Sequence, residues 1–173
     1  ALALAALAKN VRRVNEHFDF NTGHDWVIDC RGYAPQFDQD LRGIKGEILL
    51  IRNLEFFLKR PVRLMHPRYP LYIVPRGDNE FMIGATVIES ADEALSLKSA
   101  LELLSAAYSL HPSFGEAEII DIRAGVRPAY LDNLPRITVK DNVISCNGLF
   151  RHGYLLAPAI ASCVADFILE KDN

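Results

Sequence analysis

An arginine closes an apolar strand within Ala124-Gly125-Val126-Arg127-Pro128-Ala129-Tyr130, and the proline behind it blocks a helical continuation. A guanidinium in that place needs an anion. Its planar fork matches a carboxylate through two parallel hydrogen bonds, so a ligand with a free carboxylate is one candidate and an Asp or Glu of the protein is the other. On residue type alone the internal salt bridge stands slightly ahead. A second stretch, Asn147-Gly148-Leu149-Phe150-Arg151-His152-Gly153-Tyr154-Leu155-Leu156-Ala157-Pro158, is a glycine-bracketed loop feeding an apolar helix. Such a loop can turn backbone N–H groups and the positive end of a helix toward a ligand that carries or develops negative charge. Glycines that merely supply positive φ account for the same pattern, and taken alone that plainer account is preferred.

Other chemistries find no support. His17, His24, His66, His111 and His152 never fall at ligand spacing, so no metal is expected. Cys30, Cys146 and Cys163 form an odd set without a CxxC; each lies in an apolar stretch and reads as a small buried hydrophobe in a reduced, cytoplasmic protein. A net charge of -3 and a pI near 6.0 leave no basic excess for nucleic acid or an anionic membrane, which favours a small-molecule partner. The basic residues Lys59, Arg60, Arg63 and Arg68 read as a solvated loop. Homo-oligomerisation stays open.

These residues must be positioned by a chain of 173 residues, half of them hydrophobic, which is enough for a real core. Ala1 to about Val14 reads as helix from its first residue, without a cap, like the middle of an element, so truncation is expected. Trp26–Cys30, running to Gly32, predicts a buried strand and tight turn, and Lys45–Ile51 another strand. Leu71–Pro75 and Phe81–Val87 flank a turn over Arg76–Glu80, the signature of a hairpin. Leu97, Leu101, Leu104 and Tyr108 mark an amphipathic helix begun near Ser96 and stopped before Pro112. Strands follow over Ile119–Ala124 and Asn142–Cys146. The run Tyr154–Leu169, broken by Pro158, Ser162 and Asp166, predicts a buried helix starting near Pro158 rather than a membrane span. Hairpin-linked strands bracketed by helices give an α+β class, or the α+β portion of a larger α/β protein.

Taken together and in this order, the two stretches resemble the C-terminal half of the D-amino-acid oxidase superfamily, most closely its glycine oxidases of thiamine biosynthesis. The likeness covers nearly the whole chain. It includes Gly43-Ile44-Lys45-Gly46-Glu47, Arg60-Pro61-Val62-Arg63-Leu64-Met65-His66-Pro67-Arg68, Tyr72-Ile73-Val74-Pro75-Arg76 and Ile83-Gly84-Ala85-Thr86 followed by Val87-Ile88-Glu89-Ser90. The resemblance implies that FAD is the cofactor and a small amino acid the substrate. It also implies that Arg127 grips the substrate carboxylate with help from Tyr72, that Arg151 lines the pocket beside the flavin, and that Val87 stands where some members carry an active-site methionine. Gly148, Phe150, Arg151, His152, Gly153, Tyr154 and Leu155 resemble the segment meeting the pyrimidine end of the flavin, and Gly32 the glycine of the strand passing near it.

The implied reaction is oxidative deamination: a hydride passes from the substrate Cα to FAD, the imine hydrolyses to an oxo acid and ammonia, and oxygen becomes hydrogen peroxide. Position and electrostatics suffice for this, without a protein acid. The implied domains are 1–49 and 126–173, two parts of an FAD-binding α/β domain, around an antiparallel-rich substrate domain at 50–125, so that Gly32 should approach Gly148 and Gly153. The fingerprint GxGxxG does not occur in the sequence, so the pyrophosphate cradle is missing and this chain alone is expected to be inactive and to hold FAD weakly. Alternatives are a sarcosine or D-amino-acid oxidase relative, and a non-catalytic module or subunit of a split oxidase.

Overall fold

The computed structural model describes residues 14–15, 23–65 and 70–171. The helix expected over Ala1–Val14, apart from Val14 itself, lies outside the described residues, as do His66 and Arg68. The strands are β1 (Val27–Asp29), β2 (Arg42–Arg52), β3 (Val62–Met65), β4 (Pro70–Gly77), β5 (Glu80–Gly84), β6 (Ile88–Glu89), β7 (Glu118–Ala129), β8 (Arg136–Lys140) and β9 (Val143–Asn147). The helices are α1 (Leu97–Leu110) and α2 (Gly153–Lys171), with a short 3-10 turn over Pro112–Glu116.

Everything in the larger sheet is measured from β2. Strand β7 covers the whole of one edge, from Arg42↔Ala129 to Arg52↔Glu118, so β5 and β6 must divide the other. The order outward is β2, β5, β4, β3. Side chains alternate across a strand, and β2 accordingly gives Lys45, Glu47, Leu49 and Ile51 to one face and Ile44, Gly46 and Ile48 to the other. The first face carries the main core: Leu49, Ile51, Leu71, Ile73, Phe81 and Ile83 pack with Leu103, Ala106, Ala107 and Phe114. The expected hairpin β4–β5 is present, turning through Asp78 and Asn79 at positive φ. This sheet runs from Arg42 to Ala129, wider at both ends than the 50–125 expected for the substrate domain. Strand β7 likewise continues past Ala124, because Pro128 sits near its end, where the loss of one N–H is tolerated.

Helix α1 begins where expected, with the Ser96 hydroxyl accepting the Ser99 N–H at 3.1 Å. The face it buries is different. Ser99, Leu103, Ala106 and Ala107 are buried, whereas Leu97, Leu101 and Tyr108 of the expected stripe are exposed. Small residues let the helix lie close on the sheet, and that close approach outweighs the larger side chains on the neighbouring face.

Glu47 lies inside this interface, 1% exposed. Its Oε1 accepts the Ser96 N–H at 3.0 Å and its Oε2 the Thr86 hydroxyl at 2.9 Å, so the carboxylate caps the positive end of α1 from the sheet. Burial pushes its pKa up, but hydrogen bonds from Ser99, the Ser96 N–H and Thr86, with the charge of Lys45, outweigh burial, and the net shift is below the ordinary 4.5. Beside it the buried Lys45 Nζ donates to the Ala94 carbonyl at 2.9 Å.

The smaller sheet has the order β1-β9-β8, with β1 parallel to β9 and β8 antiparallel. Ile144 and Cys146 of β9 pack against Val164 of α2, joined by Trp26, Ile160 and Phe167. Three expectations are corrected here. Helix α2 starts at Gly153, with Pro158 inside it, because a left-handed turn at Gly148 and Phe150 delivers the chain to His152, whose carbonyl already accepts the Leu156 N–H at 2.8 Å. The helix is also mostly exposed rather than buried, since a three-stranded sheet covers only one side of it. By length and mean hydropathy of 1.4 alone it would pass for a membrane span. Finally, Cys146 is buried but Cys30 and Cys163 are exposed.

Removing the Glu47 carboxylate should leave the Ser96 N–H and Thr86 hydroxyl unpaired, at about 1–3 kcal/mol each. Urea unfolding of Glu47→Ala should register that loss. A folded-state pKa below 4.5 means that the stabilisation is fully present above pH 4.5 and is lost as pH falls through the folded value. The advantage of the wild type over Glu47→Gln should therefore fade in acid; a gap that does not change with pH would show that the charge is not what stabilises.

Candidate functional site

Register brings the two expected substrate residues to one face. Tyr72 pairs with Gly84, Gly84 with Ile48, and Ile48 with Arg123. Two further steps along β7 are Gly125, opposite Gly46, and Arg127, opposite Ile44. Directly paired residues share a face, so Tyr72 and Arg127 both stand on the side of the sheet away from α1. Glycines form the floor between them. A Cβ on Gly46 would collide with the Arg127 guanidinium, one on Gly84 would meet Ile48 Cγ2 at 2.8 Å, and Gly125 has nothing within 4 Å.

Arg127 lies across Gly46, and its Nη1 donates to the Thr86 carbonyl at 3.3 Å. Thr86 is itself fixed: its N–H donates to the Glu47 carbonyl at 3.2 Å, and its hydroxyl both accepts from the Glu47 N–H at 2.8 Å and donates to the Glu47 carboxylate. No ion pair among the described residues includes Arg127 or Arg151. The internal salt bridge that residue type favoured for Arg127 is therefore not formed among them. Desolvation, and after it the charge of Arg151, pulls the Arg127 pKa down from its ordinary value. A half-buried guanidinium that feels the charge of a second arginine, with a carbonyl as its partner and no ion pair among the described residues, is a site of positive charge open to an anion.

The loop carrying Arg151 is tied to the same strand end, since the Phe150 N–H donates to the Pro128 carbonyl at 3.1 Å. Gly148, at φ +75°, lies flat against the Tyr130 ring, where a Cβ would strike the ring and stand 3.3 Å from the Leu134 carbonyl. Tyr130 is buried; its hydroxyl donates to Asp38 at 2.6 Å and Arg136 sits 4.0 Å over its ring. Burial and then the Asp38 contact push its pKa far up, so it stays a neutral hydrogen-bond donor. Gly32, at φ +80° with open space where a Cβ would project, is joined to this loop by Asn147 Nδ2, which donates to its carbonyl at 2.8 Å. Gly32 and Gly148 are thus neighbours through Asn147.

The remaining expected residues are more open. Val87 follows Thr86 and is exposed; Arg151, His152, Tyr154 and Leu155 are exposed as well, Tyr154 completely. Gly153 is uncrowded, with only Leu149 Cβ at 3.9 Å from a built Cβ. Between β1, β9 and α2 lies an apolar cavity of about 390 Å³ touched by Cys30, Gly32, Cys146, Leu149, Ile160 and Val164. It adjoins the carboxyl ends of two parallel strands, where open α/β sheets take ligands. A second cavity, of about 530 Å³, on the other face of the small sheet includes Asp38, Tyr130, Arg136 and Asn147. Among the described residues no group of His, Cys, Asp and Glu could hold a metal.

Sequence reasoning missed Thr86, Glu47, Asn147, Tyr130 and Asp38. The Gly46-Glu47 and Ala85-Thr86 pairs were visible as parts of a resemblance. Nothing local tells that Glu47 and Thr86 meet, or that Asp38 answers Tyr130 from 92 positions away.

Residues 3–167 match the family of FAD dependent oxidoreductases. A Rhizobium etli protein named for a thiamine biosynthesis oxidoreductase, ThiO, is 49% identical across 99% of this chain and 55% of its own length. A glycine oxidase of Bacillus licheniformis is 34% identical across 76% of this chain and 36% of its own. Among solved structures, glycine oxidase from Bacillus cereus superposes with a TM-score of 0.72 at 27% identity, over 84% of this chain and 43% of that one. The chain therefore spans about half the length, or less, of the relatives it matches.

The two loop glycines should respond oppositely to a methyl group. Gly148→Ala meets both a left-handed φ and the Tyr130 ring and should lower the melting point, at a cost of about 1–3 kcal/mol from each effect. Gly153→Ala, in an uncrowded first helical turn, should be neutral or slightly stabilising. Equal melting points for both variants would mean that Gly148 is not held against Tyr130.

Proposed function

This chain belongs to the family of FAD dependent oxidoreductases, and from that premise we propose that it is the C-terminal, substrate-gripping part of an amino-acid oxidase of the glycine oxidase type. The observation that carries the reading is the unmatched guanidinium of Arg127. It is half-buried, pinned at the Thr86 carbonyl, faced by Arg151 and lacking a carboxylate partner among the described residues. A substrate carboxylate supplies what is missing.

Arg127 binds that carboxylate and so fixes the substrate Cα; Gly46 lets the guanidinium lie flat across the sheet, and the open space over Gly125 beside it suits a small amino acid. Tyr72, on the same face, offers its hydroxyl to the same carboxylate. Arg151 keeps the local potential positive, which favours the anionic substrate and any negative charge developing nearby. Val87 borders the pocket beside Thr86 and bears on the size of side chain admitted.

The fit to FAD rests on the open side of Gly32 and on the adjoining carboxyl ends of β1 and β9. Gly32 and the segment Gly148, Phe150, Arg151, His152, Gly153, Tyr154 and Leu155 would hold its flavin end through backbone and side chains. When bound, FAD supplies the two-electron acceptor for the substrate hydride and passes the electrons to oxygen as hydrogen peroxide. The imine leaves to hydrolyse to an oxo acid and ammonia. No fingerprint for the pyrophosphate occurs in the sequence, so the complete enzyme needs that cradle from residues beyond these.

Two measurements test the reading. Purified as it stands, the chain should be colourless and take up FAD weakly; a yellow preparation with one flavin per chain would refute the idea that the cradle is essential. In the full-length protein, Arg127→Ala should lower kcat/KM for glycine by about tens- to thousands-fold, corresponding to about 2–5 kcal/mol for a desolvated charge pair, with flavin content unchanged. Arg127→Lys should restore only part, because an ammonium lacks the planar fork. The same assay against sarcosine and D-alanine orders the substrates. Unchanged kinetics with a lowered melting point would make Arg127 a structural residue.

A further inference from the structure

The apolar cavity beside Gly32 holds a chemistry that substrate binding does not use. Strands β1 and β9 run parallel with Val27↔Val143, Ile28↔Ile144 and Asp29↔Ser145 in register, so the next pair is Cys30 and Cys146. The chains do not diverge there, because the next residue after Cys146, Asn147, donates to the carbonyl of Gly32, two residues after Cys30, at 2.8 Å. Alternation puts Ile28, Cys30 and Cys146 on the cavity side, and all three touch that cavity. The electrostatics of Cys146 respond to Cys30, in keeping with that nearness. Adjacent strands lie about 4.8 Å apart, inside the range of about 4.4–6.8 Å between Cα atoms that a disulfide spans. One thiol is exposed and the other buried.

We propose that Cys30 and Cys146 are a peroxide-oxidisable dithiol that closes to a disulfide between β1 and β9. The exposed Cys30, as thiolate, attacks one oxygen of hydrogen peroxide; the O–O bond breaks, hydroxide leaves, and Cys30 becomes a sulfenic acid. Cys146 then attacks the Cys30 sulfur as thiolate, the S–O bond breaks, and the oxygen departs as water with the proton that Cys146 released. Two thiols and one peroxide thus give one disulfide and two waters. Burial, followed by the nearness of Cys30, pushes the Cys146 thiol up to about 11, so its thiolate is scarce and the closing step is the slow one, accelerating as pH rises. The link would clamp the turn at Gly32 to the one at Gly148. If the proposed oxidase reading holds, the oxidant is its own product, formed beside these turns; the dithiol itself does not depend on that reading.

The test needs only this chain, reduced, treated with hydrogen peroxide at mildly alkaline pH and weighed intact. Loss of two hydrogens per chain is expected, with peptide mapping joining Cys30 to Cys146. Cys163→Ser should leave that loss intact. In Cys146→Ser the loss should vanish and Cys30 should react with a sulfenic-acid probe; in Cys30→Ser, Cys146 should stay reduced. Concentrated urea should abolish the preference and scatter the pairing among all three cysteines, which shows that the fold sets it. A wild-type chain gaining only oxygen atoms, or a bridge that includes Cys163 under native conditions, would overturn the proposal. Loss of oxidase activity on Arg127 substitution with this pairing retained, or the converse, separates the two readings.

Discussion

A carboxylate 1% exposed in the middle of a β-strand is the constraint on which the rest of the larger sheet depends. Glu47 cannot be left in the core without partners, because a buried unpaired charge costs several kcal/mol. It finds them in the N-terminal turn of α1 and in Thr86. Those partners fix where the helix starts, how close it lies to the sheet, and how the chain passes out of β5. The Thr86 carbonyl, held in place by these contacts, then accepts Arg127 from the opposite face. One buried charge thereby sets the position of a second, across the thickness of a single sheet.

The two charges meet opposite fates. Glu47 is surrounded by donors, so its anion is stabilised despite burial. Arg127 is desolvated beside another arginine, so its cation is stabilised by little except one carbonyl. A structure selected for stability alone would bring a carboxylate to Arg127, as it does for Arg52, which pairs with both Glu80 and Glu118. An Arg127 without a carboxylate among the described residues, over a glycine that gives it room, is a local loss offset by the well-packed core on the other face.

Much of the architecture could be read from periodicity and turn chemistry. The β4–β5 hairpin followed from two apolar runs around Gly77-Asp78-Asn79, whereas the shared face of Tyr72 and Arg127 needed the register of four strands. What failed had a common cause. Counting large apolar residues gives α1 a stripe of Leu97, Leu101, Leu104 and Tyr108, of which Leu104 alone packs against the core, while Ala106 and Ala107 are buried through close approach. The start of α2 was assigned to Pro158 from propensity, while the turn at Gly148 and Phe150 sets it at Gly153. The partner of Arg127 could not be chosen from residue type at all. Which charges come near Arg127 is a property of three-dimensional neighbours, as is the meeting of Tyr130 with Asp38.

The chemistry that such a site supports follows from which groups can change protonation. Arg127 is pulled down only from a value far above neutrality, and a guanidinium remains a cation throughout the physiological range. Tyr130 is pushed further from ionising, toward a fixed neutral donor. Neither group can serve as an acid or base near neutral pH; each contributes a constant field and a constant geometry. A reaction that had to protonate a leaving group could not run on these residues. Removal of a hydride from a carbon anchored by its neighbouring carboxylate can, because the only proton that must leave beforehand belongs to the substrate amine. On the proposed reading, the glycine floor and the arginine without an ion-pair partner among the described residues would be consistent parts of one device, holding a small anion still and leaving the electron chemistry to a cofactor.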